Sequence, residues 1–355
     1  MNRTFKSGAT RLTVLWLGVS LIATGAAATT VTQPTAPTAA SAKAATKAKV
    51  GPSAATRARA RAARIRAARA KAARSSRALA EAKKPQYRTD ASGNLVPDIR
   101  AAAAIIYDPL SGKVLYEENS MDERSIASIT KVMTAIVFLE SATDLNQVVK
   151  VERSDTLRAS TTYLKTNDRV RVSDLLHLLL IPSDNAAARA LARISPLGSD
   201  GFITRMNQKA DDLGLSHTAY ADPSGLHNDN ISSAYDMARL IAFASEDDRI
   251  GPVMRTPEYS FRTAQGRAVT VRSTNQILRA GDIDVLGGKT GFISKAGYCL
   301  ATLLKMPNGG PSLAVVVLGA TSSVNRFWEA RHLMAWLADR TQLLGLTTPV
   351  VATAK

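Results

Sequence analysis

Cysteine is almost missing from this chain, with one residue, Cys299, in 355. A single thiol excludes a disulfide framework and any multi-thiolate metal site, and Cys299 reads as a small buried hydrophobe in a strand. Histidine is scarce as well: His177, His217, His227 and His332 form no H-x-x-x-H pair, so a zinc-peptidase signature is lacking. After residue 30 there is no run of 18 or more uninterrupted apolar residues, which excludes a membrane-spanning helix from the body of the chain. Acid is what the beginning lacks. Residues 1–84 carry 17 Lys/Arg and one carboxylate, Glu81, whereas the other 271 residues hold 29 bases and 28 acids. Of the formal charge of +17, +16 therefore belongs to the N-terminal segment, and the near-neutral remainder argues against a nucleic-acid-binding body. That remainder is long enough for one large domain with a sizeable core.

What is present begins with an export signal, assigned to residues 1–28. Arg3, Lys6 and Arg11 precede the apolar stretch Leu12–Ala28, and Ala26 and Ala28 offer an A-x-A-like cleavage site. An uncleaved anchor is the alternative, for which about 17 residues is marginal. No cysteine lies nearby to accept a lipid. Either reading places the body outside the cytoplasm, in the periplasm or on the outer face of the cytoplasmic membrane. Residues 29–84 then divide into a Thr/Ala/Pro linker, which cannot build a core, and an arm at 43–84 that alternates Ala with Arg or Lys. Alanine favours helix, but no apolar face is available to bury, so a solvated, partly helical or disordered arm is expected. Its charge suits anionic envelope polymers or a membrane surface; a flexible tether without a dedicated partner fits equally well.

From residue 85 to 345 the patterning predicts one domain, followed by a short tail at 346–355. Ala103–Tyr107 and Lys113–Glu117 read as a hairpin across Asp108-Pro109-Leu110-Ser111-Gly112. A helix over Ser128–Leu139 is apolar around much of its circumference and should be central. Another, capped at Ser173-Asp174, stops at Pro182, and a third begins after Asn185. Helices at Gly201–Leu213 and Ala234–Ala244, on either side of a Gly/Pro/Asn-rich loop at 221–230, lead into β-prone segments. The chain closes with strands Val285–Gly291, Gly297–Leu304 and Ser312–Gly319 and a helix from Val324 to Leu337. Strands at both ends with helices between them indicate an α+β fold built on one antiparallel sheet.

Three short motifs carry the candidate chemistry. Ser128-Ile129-Thr130-Lys131 is the only S-x-x-K in the chain. On a helix, i and i+3 share a face, so Lys131 can reach the Ser128 hydroxyl. Burial and the positive helix end both disfavour a charged lysine, which is what a base for serine needs. A capping serine beside a snorkelling lysine is the plain alternative. Ser183-Asp184-Asn185 falls in the break between two helices, where ordinary capping would also explain it; S-x-N recurs at Ser92, Ser273 and Ser323. Lys289-Thr290-Gly291, the only K-T-G, suits carboxylate recognition on a strand, or else a lysine at a sheet edge beside a glycine bulge.

In this order the three motifs resemble those of penicillin-binding proteins and class A β-lactamases. The wider text, over about residues 98–340, resembles the low-molecular-weight penicillin-binding proteins that act as D-alanyl-D-alanine peptidases. Ile126–Lys131, Met133-Thr134-Ala135, Asn207, Ala210, Leu213-Gly214-Leu215, Thr218 and Asp222-Pro223-Ser224-Gly225-Leu226 carry that resemblance. It implies the penicillin-binding-protein/β-lactamase-like transpeptidase fold, with a helical subregion beside the sheet. It implies Ser128 as acylated nucleophile, Lys131 as its base, Ser183 as proton relay to the leaving amine and Asn185 as a holder of base and substrate. Lys289, Thr290 and Gly291 would bind the carboxylate side of the peptide, and the backbone amides of Ser128 and Phe292 would form an oxyanion hole. The implied partners are peptidoglycan stem peptides and covalent β-lactam inhibitors, with no cofactor, metal or nucleic acid.

Class A β-lactamases share the motifs but resemble one another in a Glu-x-x-x-Asn loop. Here the only glutamates between Ser183 and Lys289 are Glu246 and Glu258, and neither has Asn four residues on. A catalytically idle wall-binding module would have no need of all three motifs. Within the peptidase family, carboxypeptidases typically add a C-terminal β-rich domain and an amphipathic anchor. Only 64 residues follow Gly291, and Gly345–Lys355 is too short and polar for an anchor. The text Lys289-Thr290-Gly291-Phe292 with Ala296-Gly297-Tyr298-Cys299-Leu300 is most similar to the periplasmic endopeptidase branch. The expected reaction is therefore cleavage of the D-alanyl–diaminopimelate cross-link, with trimming of terminal D-alanine as the alternative.

Overall fold

The computed structural model describes residues 53–141, 144–307 and 309–343. The assigned export signal, the linker and first part of the arm up to residue 52, and the tail at 346–355 lie outside the described residues. The centre is a five-stranded antiparallel sheet in the order Val285–Ile293, Gly297–Lys305, Ser312–Ala320, Ala103–Asp108, Lys113–Glu118. Its early hairpin is stitched onto the late strands through Ala103–Asp108, where Ile105 faces Val316 and Ile106 faces Val315. Strand residues alternate between faces, and here both faces are covered. Ile105, Ala301 and Val316 point into a core shared with the helical region. Ile106, Leu300, Val315 and Val317 point the other way, against Phe327, Leu333, Trp336 and Leu337 of the C-terminal helix Asn325–Leu343. Each such side chain, fully buried, contributes roughly 1.5–3 kcal/mol. The architecture is the expected α+β arrangement.

The helical region is assembled around Lys131–Glu140, which is buried from Lys131 to Leu139. Helices Val172–Leu180, Asn185–Ile194, Gly198–Asp212 and Ala234–Glu246 surround it. The nucleophile motif differs from expectation in detail. Ser128 stands in a 3-10 turn, Ala127–Thr130, and the α-helix begins only at Lys131. Four small strand pairs were not legible beforehand as pairs: Tyr87–Thr89 with Leu95–Pro97, Arg124–Ser125 with Ile231–Ser232, Val148–Lys150 with Arg169–Arg171, and Glu258–Arg262 with Ala268–Arg272. Strands of two or three residues are too short for an alternating pattern to register, and the five-residue pair lies in a stretch that reads only as β-prone.

The basic sequence forms the helix Ala54–Ala82, and apart from Ala82 every described residue in it is exposed. Among the described residues no helix is long and apolar enough to cross a membrane.

Candidate active site

Ser128 is held by its backbone from two sides. Ala127, just before it, has a left-handed φ of +49°, a conformation that a non-glycine residue adopts only when its surroundings enforce it. Gly225, at φ +80°, presses on this turn: a Cβ there would lie 2.1 Å from the Ala127 carbonyl oxygen and 2.8 Å from the Ser128 amide nitrogen. Gly291 approaches from the edge strand, where a Cβ would sit 2.6 Å from the Ile126 oxygen and 3.1 Å from the Ser128 nitrogen. Only glycine admits both contacts.

Lys131 is entirely buried, and its Nζ donates to three oxygens: Ser128 Oγ at 2.9 Å, Asn185 Oδ1 at 2.6 Å and the Ser224 carbonyl, the last a short contact. Burial lowers its pKa to about 7, against a partial opposing pull from Asp222 and Asp184. The partner set has a chemical consequence. An amide oxygen and a carbonyl oxygen can only accept, so both must keep N–H donors. When Lys131 loses a proton, its lone pair can face only the Ser128 hydroxyl. The geometry thus directs the amine to the one proton whose removal makes a nucleophile.

The partners are themselves fixed. Asn185 Nδ2 donates to the Ala159 carbonyl at 2.6 Å and to Ser160 Oγ at 3.1 Å, which sets the amide with Oδ1 toward the lysine. Asp184 caps the helix Asn185–Ile194 by accepting from Ala187 N at 2.9 Å. It also accepts from Tyr163 N at 2.6 Å and Thr162 Oγ1 at 3.0 Å, although burial raises its pKa. The Ser224 carbonyl is aimed by Asp222, whose Oδ1 accepts from Gly225 N at 3.0 Å and His227 N at 3.2 Å. Burial pushes the Asp222 carboxyl up, but hydrogen bonds from Ser224, His227 and Asn230 hold it below the usual range.

Ser183 and Lys289 form a second pair. Ser183 is left-handed, at φ +67°, which turns it out of the helix break. Lys289 is buried, donates to Ser183 Oγ at 2.7 Å and to the Thr290 carbonyl at 2.9 Å, and has its pKa lowered first by burial and then by Lys131. Lys289 therefore stands behind Ser183, outside the cleft lining. The cleft, of about 220 Å³, is lined by Ser128, Ser183, Asn185, Thr290, Gly291 and Phe292, among others. Phe292 is half exposed and stacks on Tyr298, with ring centroids 4.2 Å apart.

Sequence reasoning assigned no role to three residues found here. Arg326, from the C-terminal helix, lines the cleft and donates to the Gly291 and Cys299 carbonyls at 3.0 and 3.2 Å. Its Nε has no hydrogen-bond partner among the described residues, and burial lowers its pKa to about 10. Thr274 Oγ1 is 2.6 Å from Thr290 Oγ1. Ser160 lines the cleft beside Asn185. None belongs to the three motifs that carry the candidate chemistry; in sequence Arg326 is one more charge on an amphipathic helix. No group of three or more His, Cys, Asp or Glu capable of holding a metal occurs among the described residues.

A serine bonded to a buried, depressed-pKa lysine, beside a second serine–lysine pair at the edge of an antiparallel sheet, defines a serine acyl-transfer enzyme. The family described as D-alanyl-D-alanine carboxypeptidase matches residues 89–322, and the chain belongs to that family of serine D-Ala-D-Ala peptidases. It is similar to D-alanyl-D-alanine endopeptidases of Pseudomonas aeruginosa and Escherichia coli. Both are 33% identical, over 74% and 73% of this chain and 83% and 82% of theirs. The fold is similar to the crystal structure of the Streptomyces K15 DD-transpeptidase, at a TM-score of 0.63 and 29% identity over 68% of this chain and 97% of that one.

Proposed function

We propose that the protein is an exported endopeptidase that hydrolyses D-alanyl cross-links between peptidoglycan stem peptides through an acyl-enzyme on Ser128. The contact from Lys131 Nζ to Ser128 Oγ carries this reading. Lys131, in its neutral form, takes the hydroxyl proton as Oγ attacks the D-alanyl carbonyl. The backbone amides of Ser128 and Phe292 receive the oxyanion; one such donor is worth about 3–4 kcal/mol of barrier. Collapse expels the amine of the neighbouring stem, which takes the proton of Ser183; the proton that Lys131 took from Ser128 refills Ser183 and returns Lys131 to its neutral form, while Lys289 holds the Ser183 oxygen by its hydrogen bond. Asn185 holds Lys131 and the substrate amide. Thr290 and Gly291 seat the far side of the peptide, with Lys289 acting through its hold on Ser183 and on the Thr290 carbonyl. Water, activated in its turn by Lys131, releases the shortened peptide. β-Lactams acylate the same serine.

The names of the two endopeptidase relatives support cleavage of the cross-link, and their similarity extends over more than four fifths of their length. The family description favours carboxypeptidase action instead. The two reactions share the acyl-enzyme and differ in leaving group. A cross-linked muropeptide dimer and a monomeric pentapeptide, offered side by side, separate them: conversion of the dimer to monomers is expected. Rapid release of free D-alanine with the dimer left intact would replace this reading with the carboxypeptidase one. An N-terminal export signal, a solvated basic arm and a catalytic domain over 85–345 complete the proposal, with the arm held near anionic envelope material.

A further inference from the structure

A second and larger cavity, of about 470 Å³, lies away from the catalytic cleft. It is bounded by the strand pair Val148–Lys150 and Arg169–Arg171 and by the hairpin Glu258–Arg262 with Ala268–Arg272. The two walls are fastened together: Ala264 N donates to the Arg169 carbonyl at 2.8 Å, and Arg169 N donates to Gln265 Oε1 at 3.0 Å. Tyr259 and Phe261 line the cavity, with His177 behind them. Tyr259 lies over Phe261 with centroids 5.9 Å apart and over His177 at 4.0 Å. The Tyr259 hydroxyl donates to the buried Asp174 at 2.6 Å, which fixes the ring.

Three arginines, Arg169, Arg171 and Arg262, stand exposed along this cavity. The acids closest in sequence are engaged, Asp168 with Arg267, Glu258 with Arg272, and Asp174, in the cavity wall, with the Tyr259 hydroxyl and the Arg171 backbone amide, while Arg262 Nη1 donates to the Gly266 carbonyl at 3.1 Å. Among the described residues no carboxylate forms an ion pair with any of the three. Guanidinium groups present a planar fork that fits carboxylates, and the ring faces beside them suit the apolar parts of a peptide or sugar. Both walls also lead to the catalytic cleft. Arg171 immediately precedes the helix Val172–Leu180, nine residues or roughly 14 Å long, after which the chain turns to Ser183. The strand Ala268–Arg272 runs on to Thr274, bonded to Thr290. About five residues of extended peptide would match the length of that helix.

We propose that this cavity is a second subsite for the wall polymer, binding the carboxylates of a neighbouring stem peptide while a cross-link occupies the cleft. The proposal rests on the peptidoglycan reading above. Two linked contacts raise the effective concentration of substrate at Ser128 without altering the chemistry. The subsite therefore affects polymer and leaves short soluble substrates alone.

The test compares the full chain with Arg169→Glu/Arg171→Glu and with a charge-matched control, Arg255→Glu/Arg279→Glu. Retention on intact peptidoglycan is measured in a Ser128→Ala background, so that no cleavage intervenes. The cavity variant is expected to lose roughly fivefold or more in retention. The control should keep its retention, and turnover of a soluble dimer by the cavity variant with Ser128 intact should stay within about twofold. Peptidoglycan whose stem carboxylates have been amidated should bind the unmutated cavity as weakly as native polymer binds the variant. Equal retention by variant and parent, equal loss in the control, or undiminished binding of amidated polymer would each overturn the subsite. If neither dimer nor pentapeptide is cleaved while the retention difference persists, the catalytic reading fails and the subsite stands.

Discussion

At the scale of single residues, the site depends on one lysine being able to give up its charge. Replacing Ser128 by Ala should abolish covalent labelling by a fluorescent penicillin in a protein that melts normally, and labelling of the folded variant would move the nucleophile elsewhere. Lys131→Arg should fail almost as badly, because a guanidinium stays protonated at any working pH. The pH dependence follows from the same residue. Its pKa is lowered to about 7, chiefly by burial, so the free-base fraction, and with it the acylation rate, should climb tenfold per unit below pH 7 and level off above it. Asp184 pulls that pKa upward. Asp184→Asn removes the pull, so the midpoint of the rise should move to lower pH; rapid-mixing acylation with a chromogenic β-lactam across pH 5–9 measures it. A midpoint moving upward would show that the loop contacts of Asp184, with Thr162 and Tyr163, outweigh its charge.

At the scale of elements, what matters is how closely backbone segments pass one another. The Asp222–Leu226 turn reaches the nucleophile only because Gly225 has no side chain. Gly225→Ala combines a φ of +80° with a Cβ placed 2.1 Å from a backbone oxygen. Backbone cannot yield as a flexible side chain would, so a loss of at least about 2 kcal/mol of stability is expected, together with slowed penicillin labelling. Gly266→Ala, at φ +84° with nothing within 4 Å, isolates the cost of φ and should lower the melting temperature less. Such passages mark the limit of what the sequence discloses. Ser128, Lys131 and Asn185 were legible because motif spacing and the buried helix pointed at them, and the five sheet strands because β-prone runs are bounded by turn signals such as Asp108–Gly112 and Pro307–Gly310. Arg326 and Thr274 were not legible, since tertiary placement alone brings them to the cleft. Lys289 was read as a residue that binds the substrate carboxylate; its burial and its bond to Ser183 are features that a K-T-G tripeptide cannot convey.

At the scale of the whole molecule, charge is divided from chemistry. The first 84 residues hold nearly all of the net positive charge, and the helix Ala54–Ala82 keeps its described side chains in solvent as far as Ala82. Solvated arginines have no means of acting as acid or base near neutral pH, so the arm should affect location and leave catalysis unchanged. Contacts with the rest of the fold begin at the C-terminal end of that helix. Ala82 is buried, the Lys83 carbonyl accepts from His332 Nε2 at 3.1 Å, and Glu81 lies 4.0 Å from Arg100. A deletion carried through residue 84 would cut into these contacts and confuse tethering with stability, whereas one of residues 43–80 stops short of them. The shorter deletion should leave turnover of a small soluble peptide within about twofold and the melting temperature unchanged. Its retention on anionic envelope material should fall, and raising salt to about 0.5 M should bring the intact protein down to the same level by screening. If turnover of the small peptide collapsed instead, the arm would be part of the catalytic fold, and the division of the chain at residue 85 would have to be withdrawn.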